Sequence, residues 1–84
     1  MTQPTQLKEV NFILAVHYGM DYDHIEYVEM TQGIPMRVTL TRDPTKATYR
    51  SLGEAKKWAR EILRNGEGVG TWKIDVIPLE EATK

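Results

Sequence analysis

Ser51-Leu52-Gly53-Glu54-Ala55-Lys56-Lys57-Trp58-Ala59-Arg60-Glu61-Ile62-Leu63-Arg64-Asn65-Gly66 carries in one run the signals that start, orient and stop a helix. Ser51 followed by Glu54 has the spacing of a capping box, in which the two side chains take up backbone N–H groups that the first turn leaves unpaired. Asn65-Gly66 reads as the stop, with Gly66 expected in the left-handed conformation that a Cβ disfavours. At about 100° per residue, Leu52, Ala55, Trp58, Ala59, Ile62 and Leu63 share an arc of about 140°. Every charged residue lies outside that arc, so the pattern predicts a helix laid on a core.

The polar side of the same helix is ordered too. Lys56, Lys57, Arg60 and Arg64 project into a stripe about 100° wide, with Glu54 and Glu61 at its far edge. Such a stripe is either a solvated face with a few intrahelical ion pairs or a contact surface for an acidic protein or a phosphate backbone. Arg37, Arg42 and Arg50 would extend the second reading.

Upstream, Val10 to Tyr18 alternates as a strand, with Val10, Phe12, Leu14, Val16 and Tyr18 on one side and Asn11, Ile13, Ala15 and His17 on the other. Both sides are partly apolar, which places the strand centrally. Gly19 to Asp23 reads as a turn and Ile25 to Met30 as a second strand. Thr31 to Pro35 has turn chemistry to close a hairpin onto Met36 to Arg42, whose Met36, Val38 and Leu40 point inward. Asp43-Pro44-Thr45-Lys46 ends that strand. Beyond the helix, Gly66-Glu67-Gly68-Val69-Gly70 reads as a flexible link to a strand from Thr71 to Ile77, with Trp72, Ile74 and Val76 on its core side. Pro78 cannot donate to a ladder and marks an edge or an exit.

The predicted fold class is therefore α+β: a mostly antiparallel sheet of about four strands, in the order β-β-β-α-β, with one amphipathic helix packed on one face. Residues 1–84 read as a single domain, with 1–6 and 80–84 as flexible tails. One helix covers two or three strands, so Ile13, Ala15, Ile77 and Leu79 are expected to form an apolar patch on the second face.

Composition narrows the function. The chain has 84 residues and no cysteine, which removes disulfides and thiolate chemistry and suits a reducing compartment. No apolar run reaches membrane-spanning length and the first residues lack the pattern of a signal peptide, so the expected location is cytoplasmic. Charge is unevenly spread: Met1 to Ile34 holds one lysine against five acids, and Pro35 to Lys84 holds ten basic residues against seven acids. A dipolar surface of this kind steers a partner or a second copy of the chain.

Catalytic readings fare poorly. Ser51, the single serine, serves as a helix cap, which leaves no Ser-His-Asp set, and no enzymatic activity is expected. His17, Asp21, Asp23 and His24 lie close in sequence but match no ligand spacing, so neither a metal nor another cofactor is expected. The glycines at 66–70 follow a helix and precede a strand, the reverse of a phosphate cradle. Trp58 and Trp72 fit the core too well to stack on bases, and Tyr22 and Tyr27 sit among acids that repel phosphate.

Tyrosines ringed by carboxylates suit another task. Tyr22 and Tyr27 with Asp21, Asp23 and Glu26 read as a partner-binding patch, tyrosine serving as anchor and the acids attracting a basic protein. The run Tyr49 to Ala59, Tyr-x-Ser-Leu-x-Glu-Ala-Lys-x-Trp-Ala, is similar in style to helices of small phage-encoded or mobile-element proteins, some of which inhibit host machinery. That likeness covers these residues alone and carries no site residue. The expected function is a small non-catalytic protein-binding module that occludes a macromolecular partner. The alternatives are a nucleic-acid-binding protein using the basic stripe and a homo-oligomeric assembly subunit.

Overall fold

Strand β1 (Phe12–Tyr18) lies inside a four-stranded antiparallel sheet and pairs with β2 (His24–Gln32) on one side and β4 (Lys73–Pro78) on the other. Strand β3 (Arg37–Thr41) pairs with β2, giving the order β3-β2-β1-β4. The computed structural model describes residues 11–66 and 71–83. The expected frayed lead-in at 1–6, the start of the first strand at Val10, the glycine link at 67–70 and the final residue of the tail lie outside them. The expected α+β order β-β-β-α-β is the one found.

Helix α1 (Leu52–Asn65) lies over β4 and β1. Its Ala55, Trp58, Ala59 and Ile62 are buried against Leu14, Val16 and Val28. Phe12, Tyr18, Val38, Leu40, Trp72, Ile74 and Val76 pack around that centre. Each large aliphatic side chain so enclosed contributes about 1.5–3 kcal/mol. Leu52, at the start of the predicted apolar arc, stays exposed.

The two ends of α1 are built as the sequence implies, with one correction. Ser51 Oγ accepts the Glu54 backbone N–H at 3.4 Å and donates to Glu54 Oε1 at 3.2 Å, so the cap residues hold each other. Gly66 is not left-handed: its φ of −88° and ψ of 178° are extended. Its N–H donates to Ile62 O at 2.7 Å, and a Cβ built there would come within 2.6 Å of that same oxygen. Glycine is required by this close approach rather than by a positive φ.

The predicted turn at Thr31–Pro35 starts later. A bulge between Val28 and Met30 adds a residue to β2, and pairing continues through Thr31 and Gln32. The extra residue moves Thr31 onto the helix face, where its Oγ1 accepts Trp58 Nε1–H at 3.1 Å. The bulge also parts β2 from β1, whose pairing runs from Tyr18↔His24 to Ala15↔Tyr27. Into the fork comes the chain on its way from β3 to α1. Thr48 donates its N–H to Val28 O at 3.2 Å and its hydroxyl to Glu29 O, and Arg50 exchanges two bonds of 2.9 Å with Phe12.

The second sheet face is more covered than the strand pattern implies. The expected open patch of Ile13, Ala15, Ile77 and Leu79 is largely closed: Ile13 is 0% exposed, Ala15 is 3% exposed, and Ile77 and Leu79 are partly buried. The 3₁₀ turn Pro44–Lys46 touches β2, the one-turn helix α2 (Leu79–Ala82) touches β4, and the two touch each other. Glu80, Glu81 and Ala82, part of the tail expected at 80–84, belong to α2; Pro78 ends the ladder, and Thr83 N–H reaches back to Leu79 O at 3.2 Å. Among the described residues, no helix is long and apolar enough to cross a membrane.

Candidate interaction surface

The β1–β2 hairpin closes through Gly19–Asp23, and the turn forces its side chains outward. Gly19 has φ +96° and Tyr22 φ +56°, and Tyr22 N–H closes the loop onto Gly19 O at 3.3 Å. With the backbone so bent, Met20 is 97% exposed and Tyr22 48% exposed. Ile25, opposite His17 on the second face, is 48% exposed as well. Asp21, Asp23 and the ring of Tyr22 share this exposed tip. A tyrosine in the left-handed region costs about 1–2 kcal/mol that a glycine or asparagine avoids.

The predicted patch is thus divided. Asp21, Tyr22 and Asp23 stand together at the tip. Tyr27 lies farther down the second face, opposite Ala15 and half-buried. Glu26, one residue away on a strand, points to the helix face, where it accepts the Tyr18 hydroxyl. That bond, reinforced by partial burial and the carboxylate's charge, holds the Tyr18 phenol above its ordinary value of 10, with Arg42 pulling the other way. Met20 and Ile25 were not legible as site residues, because neither belongs to a motif and their exposure depends on the turn.

His24 stacks on Tyr18 with ring centroids 5.4 Å apart, on the helix face. Gly19 makes room for it, since a Cβ there would lie 2.8 Å from His24 Cδ2. His17 points to the second face, where its Nε2 lies 3.0 Å from Asp75 Oδ2. The two histidines therefore stand on opposite sides of the sheet. Among the described residues, no group of three His, Cys, Asp or Glu side chains is placed to hold a metal ion.

The basic residues do not share one surface either. Lys56, Lys57, Arg60 and Arg64 are exposed on the outer side of α1. Arg37 faces away from the helix, in alternation with Met36 and Val38. Arg42 lies near Tyr18, and Arg50 stacks at 4.0 Å over the Trp58 ring. Arg50 thereby shields the indole and is committed to the fold at the fork.

A cleft of about 300 Å³ opens at the other end of the sheet, lined by Asn11, Thr45, Pro78, Leu79, Glu80 and Thr83. Beside it Asp43 caps the 3₁₀ turn, and hydrogen bonds from the Thr45 hydroxyl and N–H hold its carboxyl below the usual range.

No protein-family model matches the chain, and neither the curated proteins nor the solved structures yield a significant match.

Proposed function

We propose that this chain is a non-catalytic protein-binding module that occludes a macromolecular partner through the tip of the β1–β2 hairpin. The observation that carries the reading is the exposed apolar group Met20, Tyr22 and Ile25, flanked by Asp21 and Asp23. Apolar and tyrosine anchors inside an acidic rim fit a partner that presents a recess within a basic surface. The backbone of Tyr22 strengthens the reading, because strain held at an exposed aromatic gains nothing for the core. The occupant it suits is a protein that itself binds nucleic acid, since such surfaces are basic.

The test separates binding from folding at one position. Tyr22→Asn relieves the left-handed strain, so it should leave the denaturation midpoint unchanged or slightly raised while weakening partner capture at least about tenfold. Capture uses tagged chain in lysate of the source cell, with and without nuclease, read by mass spectrometry. Equal capture by Tyr22→Asn overturns the assignment of the tip. Captured material that vanishes with nuclease transfers the function to Lys56, Lys57, Arg60 and Arg64, for which Lys56→Glu with Arg60→Glu should abolish binding.

A further inference from the structure

We infer that β4 is a dimerisation edge on which a second copy of this chain adds its own β4, antiparallel, with the two-fold axis at Ile74. The sheet has two edges, and their outward groups differ. Leu79 N–H donates to Asn11 O, and the register continues through Ile13↔Ile77, Ala15↔Asp75 and His17↔Lys73. The backbone groups of Lys73, Asp75 and Ile77 therefore face β1, and those of Ile74 and Val76 face the open side. On β3 the outward position Val38 already has a partner. Among the described residues no strand pairs with the outer edge of β4, which leaves there a row of donors and acceptors ready for one more strand.

Charge selects both the occupant and the register. Among the described residues, Ile74, Val76 and their neighbours at even spacing offer the outward backbone groups, so within Lys73–Val76 a symmetric antiparallel pairing can centre on Lys73, Ile74, Asp75 or Val76. Centring on Lys73 sets two ammonium groups against each other at the close non-hydrogen-bonded spacing, and centring on Asp75 sets two carboxylates so, both of which are repulsive. Centring on Val76 asks the N–H of Pro78, which does not exist, to pair with Ile74. Centring on Ile74 pairs Ile74 with itself, Val76 with Trp72, and sets Lys73 opposite Asp75 twice over. The strand is self-complementary in that register alone, and self-complementarity is what a two-fold interface requires.

The helix agrees with this geometry. Trp58 reaches Thr31 on β2, so at about 100° per residue the flank of α1 bearing Leu52, Lys56 and Leu63 turns toward the open side of β4. Leu52 is exposed there and Leu63 half-buried. With strands about 4.8 Å apart and α1 lying over β4 and β1, the two copies of α1 would stand about 10 Å apart, the distance at which helices pack.

Sedimentation equilibrium of the full chain up to millimolar concentration tests the inference. The expected result is twice the monomer mass. Lys73→Glu and Asp75→Lys should each weaken association at least about tenfold by setting like charges together, and the double swap should restore it. Val76→Pro, which removes an N–H that β1 does not use, should weaken it as much, with near-ultraviolet circular dichroism verifying the fold. A monomer at millimolar concentration overturns the inference. So does a dimer indifferent to Lys73→Glu and Val76→Pro, and so do two single changes that the double swap fails to rescue.

Discussion

One face of the sheet lies under a single helix of 14 residues, the other beside a 3₁₀ turn and a helix of 4 residues that touch each other. The helix face is a continuous core with Trp58 and Ile62 at its centre. The second face is closed over Ile13 and Ala15 and open over Ile25 and the His17–Asp75 pair. The difference teaches where this small domain can spare surface. Side chains under α1 are committed to holding the fold, while the open end of the second face, continuous with the hairpin tip, is free to meet another molecule.

Substitutions can break that comparison or sharpen it. Trp58→Ala should cost about 3–5 kcal/mol, since it removes an indole packed beneath Arg50 and bonded to Thr31. Ile13→Ala should cost about 2–5 kcal/mol if the second cover is a packed layer equal in kind to the first. Urea denaturation of both variants measures this, and a cost below about 1 kcal/mol at Ile13 would show the second cover to be loose.

A smaller effect is expected at the helix start. Ser51→Ala should lower stability by about 1 kcal/mol by leaving the Glu54 N–H without its acceptor. The loss belongs to α1 alone, so native-state hydrogen exchange should speed in its first turn and leave β1–β2 amides unchanged.

The smallest effect is electrostatic. The fold raises the Tyr18 phenol above 10, so the protonated form is the one favoured in the native state. Its contribution is complete below the ordinary value and disappears as pH climbs past the raised one. Absorbance titration at the tyrosinate band should show one tyrosine ionising late. Glu26→Gln should bring that group back toward 10, because both the carboxylate hydrogen bond and its charge are removed. No change on Glu26→Gln would show that burial, not Glu26, sets the shift.

Tyr18 also shows where reading the residues stops. Its side of β1 follows from alternation, as does the inward side of Ile74 and Val76, because both depend on a repeat of two residues. Glu26 also obeys alternation, yet nothing in the sequence says that it faces a tyrosine on the next strand. That juxtaposition needs the register Val16↔Glu26 and Tyr18↔His24. Tyr22 and Tyr27, read together as one patch, were separated for the same reason: one sits on a turn and the other on a strand.

What the sequence by itself determined is local. Ser51 and Glu54 start α1, its apolar period selects Ala55, Trp58, Ala59 and Ile62 for burial, and Pro78 ends β4. These features depend on groups within a few residues of one another, so they are written in spacing. Only the tertiary structure decided the bulge that frees Thr31 for Trp58, the passage of Thr48 and Arg50 through the fork, and the burial of Ile13 on the second face. Each of these joins residues far apart in the chain, and a backbone group's partner across such a distance is chosen by what remains unpaired after the whole sheet has formed.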